Sequence, residues 1–292
     1  TLKSSKSVGK SERPPTIVPT LDDLVFQSEA TQKLLRSLKT TAAKNSSCII
    51  LQGPAGSGLS TLATALCAES QTHPVTTILD LARAGADLPE RAWGLLMRGG
   101  NRQTIIVDHA EFDDGSACVR IAELLQNNSN LQSGGAGPRL IVLCTDPAAT
   151  RPWLQHFEAD VITVPSLDQS RNDIPNLVQR FTRECQELTD LKVRHPSAET
   201  VSWLSGLDWP GQTKQLRACV MHALVDGAIS DTDFKLSVEE QREVWLATQQ
   251  VSRDFPIDPI LAAQLLETLN HDYRAAAARL GCSVPQLQEV LR

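Results

Sequence analysis

Along the chain, short apolar runs alternate with longer stretches of helical periodicity. Cys48 to Gln52 is a compact run of apolar residues followed at once by glycine, and Val75 to Leu79, Thr104 to Val107, Leu140 to Cys144 and Val161 to Val164 repeat the pattern. Runs of four to six apolar residues without polar alternation predict strands buried on both faces. The segments between them are long enough for a helix to cross over and re-enter the sheet, so the predicted architecture is α/β with a parallel sheet covered on both sides. Upstream, Leu21, Leu24, Thr31, Leu34, Leu35 and Leu38 fall at helical spacing. After Pro165 the pattern becomes helical throughout, over Asp173 to Leu188, Ala198 to Leu204 and Thr213 to Val225. A helical subdomain is therefore expected to follow the sheet.

The two ends read differently. Residues 1 to 20 are rich in Ser, Lys and Pro and bury too little apolar surface to offset ordering, which predicts a linker from a domain lying upstream. Residues 259–292 divide into three short helices broken at Asn270-His271 and at Gly281-Cys282-Ser283, a helix-turn-helix pattern. The expected division is 1–20 linker, 21–168 α/β unit, 169–232 helical unit, 233–258 linker helix and 259–292 helix-turn-helix.

Composition narrows the function classes. The 292 residues carry a net charge of -6, which excludes a general polyanion binder, so any nucleic-acid contact must be local. No apolar run reaches the roughly 18 residues of a membrane helix. Seven scattered cysteines without a CxxC pair fit buried thiols in a reducing cytoplasm.

The first strand runs into Gly53-Pro54-Ala55-Gly56-Ser57-Gly58-Leu59-Ser60, and a helix opens at Thr61. Strand, glycine-rich turn and helix start form the context of a phosphate loop, whose backbone N–H groups and helix N-terminus receive phosphate oxygens. Gly53, Gly56, Ser57, Gly58, Leu59, Ser60 and Thr61 are the candidate nucleotide-binding residues. Ser60 stands where a hydroxyl reaches magnesium, but Leu59 occupies the place of the phosphate-binding lysine. Losing that charge-assisted contact costs on the order of 2 to 3 kcal/mol, a factor of roughly 30 to 150 in affinity. The strand Gln103 to Val107 ends in Asp108, which suits a magnesium site shared with Ser60 if a magnesium nucleotide binds. His109 follows where a hydrolytic site has glutamate, and Glu111 is expected to point elsewhere, so hydrolysis loses its general base. His109 is read as a structural histidine.

The order of these elements resembles the bacterial enhancer-binding proteins, AAA+ transcription activators. The motifs Ser170-Arg171-Asn172-Asp173-Ile174-Pro175 and Leu207-Asp208-Trp209-Pro210-Gly211-Gln212-Thr213-Lys214-Gln215-Leu216 carry that resemblance. It implies an AAA+ P-loop sheet, a helical lid opening at the first motif and a sensor helix opening at the second, over roughly residues 23 to 230. Asn270 to Ser283 looks like the Fis-type helix-turn-helix that ends those activators. The departures are as informative. There is no counterpart of the GAFTGA loop by which family members engage the sigma-54 polymerase. Aligned on the family, its arginine fingers fall on Thr150 and His156, its fourth-strand sensor on Asp146 and its second-sensor arginine on Lys214. Only Lys214 keeps a charge for nucleotide, with Arg151 one residue from a finger position. Every group that would stabilise a transferring phosphoryl is weakened together, which implies a pseudo-ATPase.

In the helix-turn-helix, Ser283, Gln286 and Gln288 are placed to read base edges, and Arg274, Arg279 and Arg292 to hold phosphates. Those arginines are opposed by Glu267, Asp272 and Glu289, so the module is neutral and calls for dimerisation or a higher oligomer to hold a site. The expected protein is a cytoplasmic DNA-binding regulator that needs no cofactor, takes a nucleotide at most as a ligand, touches no membrane and acts without polymerase remodelling. The partners expected are DNA, a second copy, and RNA polymerase or an intact AAA+ paralogue. Two rivals remain: an interaction subunit that modulates such a paralogue, and a weak ATPase in which Lys214 or Arg151 compensates and Glu111 positions water.

Overall fold

The computed structural model describes residues 19–44, 46–69, 75–84, 103–113, 115–127, 138–189, 193–228 and 230–254, with isolated positions between 263 and 287. The predicted upstream linker, nearly all of the predicted helix-turn-helix and its six candidate DNA contacts, Arg274, Arg279, Ser283, Gln286, Gln288 and Arg292, lie outside the described residues.

All five expected strands form. They are β1 (Cys48–Gln52), β2 (Val75–Asp80), β3 (Gln103–Asp108), β4 (Arg139–Cys144) and β5 (Ala159–Thr163). The sheet runs in the order β2-β3-β4-β1-β5, and every pairing is parallel. Side chains alternate across it with period two. Ile49, Leu51, Ile106, Ile141 and Leu143 enter one buried cluster with the helices α1 (Glu29–Lys44) and α2 (Leu59–Ala68). Cys48, Ile50, Ile105, Val107, Leu140 and Val142 enter the opposite cluster. There they meet the α4 helix (Ser116–Asn127) and Trp153 of the α5 helix (Arg151–His156). A short helix, α3 (Leu81–Ala84), follows β2.

Helix α1 presents Thr31, Leu34, Leu38 and Thr41 to the core at helical spacing, as its pattern predicts. Its start is fixed from far along the chain: the buried Asp173 carboxylate accepts from the backbone amides of Gln27 at 2.7 Å and Ser28 at 2.6 Å. A negative charge at a helix N-terminus also meets the positive end of its dipole.

Among the described residues four helices follow the sheet: α6 (Ile174–Thr189), α7 (Ala198–Gly206), α8 (Gln212–Val225) and α9 (Asp231–Asp254). They enclose a separate core of Ile174, Val178, Phe181, Leu204, Trp209, Leu216, Val220, Phe234 and Val238. Arg171 clamps its base, donating to Asp168 and Asp208 at 2.7 Å each and to the Ser205 carbonyl at 3.2 Å. No helix among the described residues is long and apolar enough to cross a membrane.

Candidate nucleotide-binding site

The phosphate loop forms as the glycine spacing requires. Gly56 and Gly58 take φ of +83° and +97°, a region that β-carbon-bearing residues enter only with strain, and α2 starts directly after Gly58. Loop, sheet edge and helical layer together enclose a cavity of about 750 Å3. Gly56, Ser57, Gly58, Leu59, Ser60, Thr61, Asp108 and Lys214 all line it, so the sequence-predicted site residues converge except Gly53. Gly53 lies beneath the loop, where an added Cβ would sit 2.9 Å from Val164.

Leu59 decides the character of the loop. It is 7% exposed and belongs to the same apolar cluster as Leu34, Leu38, Leu62 and Val164. The position that would hold a lysine instead serves the core. Ser60 Oγ donates to Asp108 Oδ2 at 3.3 Å, so the hydroxyl and carboxylate expected at a magnesium position are adjacent. Among the described residues no group of three or more His, Cys, Asp or Glu is placed to hold a metal ion. The Ser60–Asp108 donor set therefore fits a magnesium ion only when phosphate oxygens complete the coordination.

Glu111 departs from expectation. His109, directly after β3, takes the left-handed region with φ +59° and ψ +47°, and the chain turns back into a 3-10 turn over Ala110–Phe112. That reversal brings Glu111 to the cavity wall beside Asp108, where its Oε2 accepts from the Thr145 amide at 3.4 Å. Burial pushes the Glu111 carboxyl up, but hydrogen bonds from His109 and from the Thr145 backbone outweigh it and leave it below the usual carboxylate range. His109 Nδ1 lies 3.4 Å from Glu111 Oε1, and that hydrogen bond holds the imidazole above its ordinary pKa.

The lid contributes residues that the loop motif does not announce. Arg180, Glu184 and Arg217 line the cavity; Arg217 is paired with Glu184, and Arg180 donates to the Asp23 carbonyl at 2.6 Å. The charged lining thus comprises Lys214, Arg180 and Arg217 against Asp108, Glu111, Asp173 and Glu184, without a cationic excess. Spacing along the sensor helix points to Arg217, one turn after Lys214; nothing in the sequence marks Arg180 or Glu184. Of the residues aligned with the family's finger and sensor positions, Lys214 lines the cavity and the others do not. Asp146 caps a 3-10 turn, accepting from the Ala148 amide at 2.8 Å, Thr150 is buried, and Arg151 and His156 are exposed outside the cavity lining.

Residues 169–244 match the model of the AAA+ ATPase lid domain. Over that span the chain carries an AAA+ lid, and its relatives are of the bacterial enhancer-binding type. An NtrX-like response regulator of Rickettsia typhi is 39% identical over 64 residues, 22% of this chain and 14% of the relative. The transcriptional regulatory protein ZraR of Salmonella typhimurium is 24% identical over 88% of the chain and 66% of its own length. This AAA+ protein therefore spans less than two thirds of the curated relatives it matches. Among solved structures, NtrX from Brucella abortus in complex with ATP superposes with a TM-score of 0.59 at 18% identity, over 92% of this chain and 68% of that one. The RuvB Holliday junction branch migration motor of Thermotoga maritima does so with a TM-score of 0.55 at 17% identity, over 94% and 88%. At such identities these structures establish the AAA+ fold.

Proposed function

We propose that the chain is a DNA-binding transcription regulator whose AAA+ unit is degenerate and does not hydrolyse ATP, acting by occupancy or contact instead of sigma-54 polymerase remodelling. The observation that carries this reading is Leu59, committed to the core where a cation would meet the β and γ phosphates. The lack of a cationic excess in the cavity lining supports it, because without excess positive charge a nucleotide is a weak ligand at best and its magnesium must arrive with it. The regulator names of the NtrX-like and ZraR relatives support the class. In this reading 21–168 is the α/β unit, 169–232 the lid, whose core also takes in Phe234 and Val238 from the front of the 233–258 linker helix, and 259–292 a Fis-type helix-turn-helix. Arg274, Arg279, Ser283, Gln286, Gln288 and Arg292 contact DNA from a homodimer or higher oligomer.

The test selects genomic fragments with purified protein at about 0.15 M salt, near physiological ionic strength, beside a version truncated before Gln264. Specific fragments lost on truncation support a DNA-binding regulator. No enrichment in either version overturns it in favour of an interaction subunit that modulates an intact AAA+ paralogue.

A second reading, a weak ATPase, is favoured by one observation: Glu111 reaches the cavity beside the Ser60–Asp108 pair, where a carboxylate can orient water. Magnesium-dependent phosphate release that disappears in Glu111→Gln decides for it, and absence of release decides against it.

A further inference from the structure

Three layers stack at the mouth of the cavity. The lowest is Gly56 of the phosphate loop. Its carbonyl accepts from the Lys214 amide at 3.0 Å, and a Cβ built on it would lie 2.5 Å from the Gly211 carbonyl oxygen. The middle layer is the turn Asp208–Gly211 that starts α8. The upper layer is α9, from which two side chains one helical turn apart grip that turn. Arg242 stands over the Trp209 ring at 5.3 Å and donates to the Asp208 carbonyl at 3.1 Å. Trp245 covers Gly211 so closely that an added Cβ would sit 2.5 Å from its Nε1. No side chain fits in either gap, so each layer is shaped by the next.

The middle layer is fixed rather than compliant. Gln212 holds φ of +55°, a left-handed conformation that a non-glycine residue keeps only where its surroundings over-determine it. Here they do: its Oε1 accepts from the buried Leu167 amide at 2.6 Å, its own amide donates to the Trp209 carbonyl at 2.8 Å, and Gln215 Oε1 accepts from the Gly211 amide at 2.9 Å. A displaced phosphate loop must therefore move the turn as a unit or break these bonds. Close-packed elements transmit such shifts instead of absorbing them.

We propose that Trp245 is a positioning residue that couples the phosphate loop to α9 through Gly211, so that any change of loop geometry is read out along the helix leaving the lid. The coupling is a property of the packed chain and holds whether or not the pocket takes a nucleotide. Because coupling between two sites is reciprocal, it runs in both directions: loosening α9 at Trp245 loosens the loop, and distorting the loop at Gly56 loosens α9.

The experiment is amide hydrogen exchange on the full chain in four variants without ligand. Gly56→Ala, which drives a Cβ against the Gly211 carbonyl, speeds exchange over residues 240–247 by at least about fivefold, the low end of ordinary allosteric coupling. Gly115→Ala places the same strain at φ +97° with nothing nearer than Pro152 at 3.8 Å, and leaves those amides unchanged. Trp245→Leu speeds exchange over residues 53–60 by a similar factor. Val238→Ala loosens α9 through the lid core, outside the stack, and leaves the loop unchanged. The proposal is overturned if the Gly56→Ala effect stops at the first turn of α8, or if Val238→Ala loosens the loop as much as Trp245→Leu. Should Gly56→Ala fail to fold, the Trp245→Leu and Val238→Ala pair decides alone.

Discussion

Lys214 meets the phosphate loop with its backbone, its amide donating to the Gly56 carbonyl at 3.0 Å, while its side chain stands exposed at the rim of the cavity. The backbone bond locates the lid on the loop, and the charge is a separate contribution that can be removed without touching it. Lys214→Gln is therefore expected to leave the thermal midpoint unchanged and to weaken binding of a fluorescent ATP analogue several-fold. A drop in midpoint with unchanged binding would assign the side chain to structure and take it out of the site.

A second expectation concerns the tie between α1 and the lid. Asp173 is buried and serves two backbone amides and the Ser28 hydroxyl. Asp173→Ala leaves the two amides without that acceptor, while the Ser28 hydroxyl keeps Thr31 Oγ1 at 2.8 Å, and the loss costs about 2 to 4 kcal/mol, since a buried unsatisfied group costs roughly 1 to 3. Asp173→Asn keeps one acceptor oxygen and is expected to fall between. Urea denaturation monitored by circular dichroism measures both, and equal midpoints for wild type and Asp173→Ala would refute the account.

The three inner strands were legible because a parallel sheet covered on both faces leaves uninterrupted apolar runs, as in Cys48 to Gln52 and Leu140 to Cys144, whereas β2 and β5, expected to be buried on both faces, lie at the sheet edges with Ile78 and Val161 exposed. The loop was legible from its glycines, and the lid from its two motifs. What stayed hidden depends on distant pairings or on a single backbone angle. Asp173 and Ser28 are 145 residues apart, so no local pattern announces their bond. Glu111 was expected to point away because two residues normally carry the chain past a strand end; the positive φ of His109 reverses it. The burial of Leu59 was half visible, since an apolar residue replaced a cation, but its place in the cluster with Leu34 and Leu38 needed the packing of α1.

The His109–Glu111 pair makes stability depend on pH in a defined direction. The hydrogen bond with Glu111 raises His109 above its ordinary 6.5, so its contribution is present below 6.5 and is lost as pH rises through the higher folded value. Glu111 lies below its ordinary 4.5, so its contribution is present above 4.5 and is lost as pH falls through the lower folded value. Both act together between those two ordinary values. Because Glu111 is the leading cause of the histidine shift, the His109 ring titrates at lower pH in Glu111→Gln when followed by nuclear magnetic resonance. An unchanged midpoint would mean that the two side chains do not meet in solution.

The thiols offer a test of the sheet core. Burial pushes Cys48, Cys118 and Cys144 each up to about 12, and all three lie in one apolar cluster. Only a thiolate reacts readily, so these three are inert at pH 8 in the folded protein. Ellman's reagent is expected to leave them unmodified in buffer and to label them fully in denaturant. Rapid labelling of any of them in buffer, mapped by peptide mass, would show that the cluster opens.

Leu59→Lys separates the two roles of the position that shapes the site. The leucine is 7% exposed in a cluster with α1, so its replacement removes apolar burial worth on the order of 2 to 3 kcal/mol, partly recovered if the lysine stem stays against the core. The same change restores a cation at the loop, which tightens magnesium-ATP binding by roughly 30- to 150-fold. The variant is thus expected to melt earlier without ligand and to gain more from saturating magnesium-ATP than wild type does, because binding to the folded state stabilises it. Calorimetric titration beside thermal melts reads both quantities independently. If the variant melts earlier and still binds no better, Leu59 is not what closes the site to phosphate, and the lack of cationic excess, Lys214, Arg180 and Arg217 against Asp108, Glu111, Asp173 and Glu184, becomes the controlling feature.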